Sequence, residues 1–301
     1  MGSSDLRAKR GEESEDDGGH TGESEGEPID RSTEQRQGGE QQGTRGGRLD
    51  SEAGEGDVHD IQLEVFRYDP EVEAKEEPRF DDFYVPYSRG MTVLDALIYA
   101  RDNYDSSLTF RHSCRQAVCG SDALLINGQQ RLGCQTQVDD LTEPIRIEPL
   151  PHQPVIKDLV TDMEDFYKKM HTIEPYFQPD DLPDGEHQEQ KQSPANREKI
   201  KKATRCIWCG ACMSSCNIVQ GDEYYLGPAP IVKGYRFYMD EREGEQAQER
   251  RLEILGQEHG VWRCQTQFSC TEVCPKDIPI TEHIQEMKRE AVKQDLRFWE
   301  D

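Results

Sequence analysis

The chain has 301 residues, which is long enough for two compact domains, and its formal net charge is −25. The excess of acidic residues argues against nucleic acid as a partner. Arginine also outnumbers lysine, and this composition fits two kinds of protein equally well, one from a proteome adapted to high salt and an ordinary acidic cytoplasmic one. No stretch approaches the ~18 apolar residues of a membrane span, and the N-terminus lacks the features of a signal peptide, so we expect a cytoplasmic chain with no transmembrane segment of its own.

Residues 1–60 differ in composition from the rest of the chain. They contain 7 basic and 17 acidic residues, many Gly, Ser and Gln, and almost no large apolar residue. Such a segment cannot bury enough apolar surface to offset the conformational entropy that it would lose on folding. We therefore expect a disordered acidic leader.

The next segment predicts strands that feed a helix. Apolar and polar residues alternate over 61–65, which is typical of a half-buried strand, and a second apolar and aromatic run covers 83–85. Thr92, with Asp95 three residues later, predicts the start of a helix. The apolar side of this helix would comprise Val93, Leu94, Leu97 and Ile98. The pattern indicates a small α+β unit.

A hairpin and a last strand complete this domain. Asn127-Gly128 separates the apolar run 123–126 from a short run that ends at Cys134, and this dipeptide is the strongest short hairpin signal because both residues tolerate positive φ. A further strand is predicted over 145–147. The first domain is therefore predicted to cover residues 61–150.

The period of the apolar residues changes after Pro154. The recurrence at three and four residues predicts a helix of about four turns that starts there, and the residues that carry it are Val155, Leu159, Met163, Phe166 and Met170. A proline-rich, polar connector follows and completes the segment 151–198. Residues 199–301 are predicted to be helical with cysteine-bearing loops, and Ile284, Met287 and Ala291 mark a closing helix.

The ten cysteines point to metal rather than to disulfides, because the cytoplasm keeps thiols reduced. Cys206, Cys209, Cys212 and Cys216 form the run C-x2-C-x2-C-x3-C. In ferredoxins with two clusters, such a run supplies three thiolates to one [4Fe-4S] cluster and its fourth to the neighbouring cluster. Zinc is the alternative, but a zinc site would favour two pairs of ligands.

A second run repeats this spacing with one exception. Cys264, Gln267, Cys270 and Cys274 stand in the same register, so a glutamine replaces the second cysteine. The predicted [4Fe-4S] ligands are therefore Cys206, Cys209, Cys212 and Cys274. The three remaining thiolates predict a [3Fe-4S] cluster held by Cys216, Cys264 and Cys270. A second four-iron cluster completed by water or another oxygen stays open as the alternative.

The first domain carries a third constellation. Cys114, Cys119, Asp122 and Cys134 match the plant-type [2Fe-2S] loop with a carboxylate in the third position. A carboxylate is a harder donor than a thiolate and suits ferric iron, so we predict Asp122 as a ligand. Alternatively, Asp122 caps a turn and Ser121 or a hydroxide supplies the fourth ligand. With Asp122 included, no cysteine is left without a cluster.

From Ile61 to the C-terminus the sequence resembles the iron-sulfur subunit of succinate dehydrogenase and of quinol:fumarate reductase. The segments that carry this resemblance are SCRQAVCGSD, INGQQRLGCQT, LPHQPVIKDLV, CIWCGACMSSC and SCTEVCPK. The resemblance implies a β-grasp [2Fe-2S] ferredoxin-like domain followed by an α-helical ferredoxin-like domain. In that family the third [2Fe-2S] ligand is usually Cys and in some members Asp, so Asp122 looks like a known variant.

The resemblance also implies a function. Electrons would leave an FAD-containing flavoprotein that oxidises succinate, cross the [2Fe-2S], [4Fe-4S] and [3Fe-4S] clusters, and reach quinone at membrane anchor subunits. The chain would lie peripherally on the cytoplasmic face of the membrane and have no catalytic residue of its own. The same subunit of a fumarate reductase, running in the opposite direction, and an electron-transfer subunit of another flavin-linked oxidoreductase stay open as alternatives.

The sequence departs from the family where relatives contact quinone. Many relatives have Pro directly after the fourth cysteine of the first run, Trp a few residues later, and His after the first [3Fe-4S] cysteine, and in those relatives the Trp and the His touch quinone. Here those positions hold Asn217, Gln220 with Gly221, and Gln265. The family's quinone contacts therefore cannot be transferred to this chain.

Overall fold

The computed structural model describes residues 59–72, 77–180 and 189–297. The predicted acidic leader, except for its last two residues, lies outside the described residues. None of the described helices is long and apolar enough to cross a membrane.

A five-stranded mixed sheet forms the framework of the first domain. Its strands are β1 (Asp60–Arg67), β2 (Arg79–Pro86), β3 (Ala123–Ile126), β4 (Gln129–Leu132) and β5 (Ile145–Glu148). The order is β2-β1-β5-β3-β4, with β1 and β5 parallel and the other neighbours antiparallel. The alternation predicted for β1 is confirmed, because Ile61, Leu63 and Val65 are buried while the residues between them are not. One face of the sheet therefore builds a core.

Helix α1 (Val93–Asn103) covers this face of the sheet. Thr92 is its N-cap, and it forms a capping box in which the Asp95 backbone N–H donates to Thr92 Oγ1 and the Thr92 N–H donates to Asp95 Oδ2. Of the predicted buried residues, Val93, Leu94 and Leu97 are buried, whereas Ile98 is half-buried. The helix, the sheet and the hairpin at Asn127-Gly128 confirm the α+β fold class.

The four-turn helix predicted from Pro154 is wrong in its first half. The chain first forms a small hairpin of β6 (Val155–Lys157) and β7 (Val160–Thr161), and α2 extends only over Glu164–Thr172. Asp158 turns the hairpin with φ of 45° and is buried. Its carboxylate accepts hydrogen bonds from Arg67 Nε at 3.1 Å and from the backbone N–H of Thr109 at 2.8 Å. These hydrogen bonds to residues far away in the sequence stabilise the hairpin more than the helical spacing of the apolar residues stabilises a helix.

The second half of the described chain is helical. Its helices are α3 (Pro194–Lys201), α4 (Ala211–Ser214), α5 (Asn217–Gly221), α6 (Pro228–Tyr238), α7 (Glu245–Leu255), α8 (Ser269–Glu272) and α9 (Ile280–Arg297). Helix α3 begins inside the predicted connector, because Ser193 caps it and Pro194 occupies its first turn, where proline fits a helix. The predicted closing helix is confirmed, since Ile284, Met287 and Ala291 are buried on α9. The predicted domain limits stay a prediction.

Candidate iron-sulfur cluster sites

The loop that contains Cys114 and Cys119 wraps its backbone around the Cys114 sulfur. Arg115, Ala117 and Gly120 all have positive φ, between 53° and 71°. These turns let the backbone N–H groups of Gln116, Val118 and Cys119 donate to Cys114 Sγ at 3.4, 3.3 and 3.2 Å. The three donors stabilise negative charge on that sulfur.

The thiols of this site differ in acidity. Backbone N–H donation, from Gln116 first and then from Cys119 and Val118, lowers the pKa of Cys114 to about 7. Burial, reinforced by the Asp122 carboxylate, raises the pKa of Cys134 to about 12. A thiolate at Cys134 is therefore unfavourable without a nearby positive charge, which bound iron would supply.

Asp122 lies in the same site with only 2% of its surface exposed. Its Oδ2 accepts a hydrogen bond from the backbone N–H of Cys134, and its Oδ1 is buried with no hydrogen-bond partner among the described residues. The side chain therefore caps the turn with one oxygen and leaves the other oxygen available to bind iron. Ser121, the alternative ligand, lies with its Oγ 3.2 Å from Cys119 Sγ.

A cavity, partly open to solvent, lies against the first cysteine run. The predicted [4Fe-4S] ligands Cys206, Cys209, Cys212 and Cys274 all line it. The structure therefore brings Cys274 of the second run together with three cysteines of the first. The rest of the wall is largely apolar and includes Ile207, Ala229, Val232 and Ile278.

Burial makes three of these thiols poor acids. It raises the pKa of Cys209 to about 12, and it also raises the pKa of Cys206 and that of buried Cys212. A buried thiolate without a countercharge is costly. Iron in the cavity would supply that charge, so the donors and their surroundings fit a cluster.

A second cavity, also partly open to solvent, lies against the second cysteine run. Cys216, Cys264 and Cys270 line it together with Gln267. Burial again raises the pKa of Cys216 and of Cys270. The structure thus separates the two predicted ligand sets into two cavities and exchanges the last cysteine of each run between them.

The backbone of the second run repeats that of the first. A short 3₁₀ turn precedes each run, over Ala203–Arg205 and Val261–Arg263, and a short helix, α4 or α8, ends each. Left-handed residues fall at matching positions, which are Trp208 and Gly210 in the first run and Thr266 and Phe268 in the second. Gln267 therefore occupies the same backbone position as Cys209.

Sequence reasoning missed two contacts that α9 makes with the second site. Thr281 Oγ1 lies 3.6 Å from Cys270 Sγ, and Lys288 Nζ donates to the Cys264 carbonyl at 2.9 Å. Ile284 lines the same cavity. Helical spacing around Ile284 could have located both residues, because residues three and four apart share a helix face.

The loop that contains Cys114 and Cys119 is in direct contact with the wall of the first cavity. A Cβ built on Gly120 would lie 2.8 Å from Cys209 Cβ and 3.0 Å from the carbonyl oxygen of Ile207. A small apolar cluster of Ala123, Leu132 and Leu150 packs against Ile207 and Cys209 around this contact. The [2Fe-2S] loop therefore touches the first cysteine run without an intervening layer.

The cysteines of the second half line cavities and do not converge on a single point. Among residues 59–72, 77–180 and 189–297, no three Cys, His, Asp or Glu side chains converge on a position for one metal ion. The ligands of a three-iron or four-iron cluster are spaced more widely than those of a single ion, because each thiolate binds a different iron atom.

Comparison with known proteins identifies the two halves. Residues 62–168 match the family model of a 2Fe-2S iron-sulfur cluster binding domain, and residues 202–278 match that of a 4Fe-4S dicluster domain. The chain is 39% identical over 238 residues to the fumarate reductase iron-sulfur subunit of Mycobacterium tuberculosis, covering 79% of this chain and 95% of the relative. It belongs to the family of succinate dehydrogenase and fumarate reductase iron-sulfur subunits.

Two further relatives agree with this assignment. The fumarate reductase iron-sulfur subunit of Haemophilus influenzae is 35% identical over 243 residues, which cover 77% of this chain and 93% of that one. A chain of the Mycobacterium smegmatis Sdh1 complex in the apo form superposes with a TM-score of 0.69 at 29% identity and covers 79% of this chain and 98% of its own. The predicted family, its electron-transfer role and the order of its two ferredoxin-like domains are confirmed for this iron-sulfur subunit.

Proposed function

We propose that this iron-sulfur subunit transfers electrons to a membrane quinone. The electrons come from an FAD-containing flavoprotein that oxidises succinate. The proposed ligands are Cys114, Cys119, Asp122 and Cys134 for [2Fe-2S]; Cys206, Cys209, Cys212 and Cys274 for [4Fe-4S]; and Cys216, Cys264 and Cys270 for [3Fe-4S]. When bound, the clusters supply one-electron steps between a two-electron flavin and a quinone.

The observation that carries this proposal is the arrangement of cysteines around the two cavities. Four thiols line the first cavity and three line the second. Cys274 of the second run lines the first cavity, and Cys216 of the first run lines the second cavity. Gly120 joins the [2Fe-2S] loop to the wall of the first cavity through its contact with Cys209. The protein therefore holds three sites in a connected series.

Two features support the unusual members of the ligand set. The buried, unpartnered Oδ1 of Asp122 supports the carboxylate as the fourth [2Fe-2S] ligand. Gln267, at the backbone position of a cysteine in the first run, supports a [3Fe-4S] cluster in the second cavity, because the site offers only three thiolates.

The partners are assigned to opposite ends of the series. Val118, 61% exposed, lies beside exposed Cys119 and would meet the flavoprotein. Phe268, at the wall of the second cavity, and Tyr224 are also exposed and would face the membrane anchor subunits and quinone. The subunit would then lie peripherally on the cytoplasmic face of the cell membrane, held by its anchors.

Fumarate reduction is the second candidate, and the names of the two curated relatives favour it. The ligand set is the same for both directions, since direction depends on the cluster potentials and on the quinone. Steady-state assays of the purified complex with succinate and quinone, and with quinol and fumarate, separate the two. Faster succinate oxidation supports the proposed direction, and faster fumarate reduction reverses it.

Low-temperature EPR of the anaerobically purified complex, combined with an iron assay, tests the proposal. We expect an oxidised three-iron signal that disappears on addition of succinate, a reduced [2Fe-2S] signal, and about nine irons per iron-sulfur subunit. About ten irons with no three-iron signal would mean that a non-thiolate ligand completes a second [4Fe-4S] cluster, and the [3Fe-4S] assignment would be withdrawn.

A further inference from the structure

Lys233 lies on α6, next in sequence to Val232, which lines the first cavity, and is half-buried. Its Nζ is 5.5 Å from the centroid of the Trp208 ring. Trp208 lies in sequence between Cys206 and Cys209, and its ring also makes an edge contact with His171 at 6.4 Å between centroids. The ammonium group is therefore held against the loop that surrounds the proposed [4Fe-4S] site.

This ammonium group has no carboxylate partner among the described residues, although the chain contains 61 acidic residues. Arg236, nearly one turn later on the same helix, is paired with Asp240 at 3.7 Å. The charged groups that act on Lys233 are the thiol of Cys206, when ionised, and the guanidinium of Arg236.

A half-buried cation without a counterion is unfavourable, and a cation–π contact with an indole only partly compensates it. The first cavity explains the position of Lys233, because four thiolates in it carry more negative charge than the positive charge left on the iron-sulfide core of a [4Fe-4S] cluster. The ammonium and the loaded site are then counterions for each other.

We propose that the Lys233 ammonium is a countercharge of the [4Fe-4S] cluster held by the first cavity, which Lys276 also lines, and that it raises the reduction potential of this cluster. This inference rests on the proposed function, because it takes Cys206, Cys209, Cys212 and Cys274 as the ligands. Reduction adds one electron to the site, and no bond or proton needs to change. A positive charge nearby stabilises the additional negative charge, and partial burial strengthens that interaction.

The test is a potentiometric EPR titration of the [4Fe-4S] signal in the whole complex, with Lys233→Gln, Lys233→Arg and wild type compared under identical conditions. Lys293→Gln is the control for a surface charge, because Lys293 is 61% exposed and paired with Glu290. The [2Fe-2S] and [3Fe-4S] signals in the same samples serve as internal references. Lys233→Met replaces the glutamine variant if that variant does not assemble.

We expect Lys233→Gln to lower the reduction equilibrium constant of the [4Fe-4S] cluster about tenfold, which corresponds to about 59 mV for one electron. Lys233→Arg and Lys293→Gln should stay close to wild type, and the two reference clusters should not shift. A wild-type midpoint in both neutral variants would overturn the role of Lys233 and leave the proposed function intact. Absence of any [4Fe-4S] signal in wild type would overturn the ligand assignment and this inference with it.

Discussion

Gly120 is the point at which the [2Fe-2S] loop meets the first cysteine run, and its replacement by alanine tests that contact. The residue has φ of 71°, and a Cβ there would lie 2.8 Å from Cys209 Cβ and 3.0 Å from Cys209 Cα. Gly128, in the hairpin turn, is a matched control. It has φ of 75° and nothing within 4 Å of a Cβ, so its replacement adds backbone strain without a clash.

The two variants differ by the clash alone. A left-handed conformation costs a non-glycine residue about 1–2 kcal/mol, and this cost applies to both alanines. Inserting a methyl group into a packed contact costs about 1–3 kcal/mol more, and this cost applies only to Gly120→Ala, because backbone and Cβ atoms cannot rotate away. For a protein of this size, 1 kcal/mol lowers Tm by about 2–4 °C. We therefore expect Gly120→Ala to melt about 2–12 °C below Gly128→Ala.

Thermal unfolding of the purified complexes, followed by visible cluster absorption and by circular dichroism at one scan rate, provides the measurement. A fixed scan rate is needed because unfolding of such proteins is irreversible. Gly120→Ala should also lose cluster absorption before helical signal, since Cys209 would be displaced first. Equal Tm values for the two alanine variants would refute direct packing of Gly120 on Cys209.

Three further substitutions test the sites and the core. Asp122→Cys should retain a [2Fe-2S] cluster but shift its midpoint potential, because a thiolate is a softer donor than a carboxylate; an unchanged potential and spectrum would show that Asp122 is not a ligand. Gln267→Cys should convert the three-iron signal to a four-iron one and add about one iron per chain after anaerobic reconstitution, so persistence of the three-iron signal with excess iron would count against the register. Arg67→Met should destabilise the protein by about 3–5 kcal/mol in thermal unfolding, because it leaves the buried carboxylate of Asp158 without its cation. Arg101→Met, which removes a more exposed pair, should cost no more than about 1 kcal/mol, and similar losses for both would contradict a buried ion pair.

Local sequence predicted several elements because their signals lie within a few residues. The capping box of Thr92 and Asp95 and the turn at Asn127-Gly128 act through backbone hydrogen bonds and φ preferences of adjacent residues. The proline-rich composition of residues 171–198 predicts that Pro194 belongs to a connector, whereas α3 places it in the first turn of a helix, where proline also fits.

The sequence by itself determined the candidate ligands of the two cavities, because residues 206–216 and 264–274 have the same cysteine spacing, with Gln267 in place of one cysteine. The pairing of those ligands with particular clusters stays a proposal. Only the tertiary structure decided that residues 155–161 form a hairpin, since Asp158 is held by Arg67, 91 positions away in the sequence. It also decided that Gly120 meets Cys209 and that Lys233 meets Trp208. Spacing along a chain specifies what a short segment can bind, whereas burial and charge depend on residues that only folding brings together.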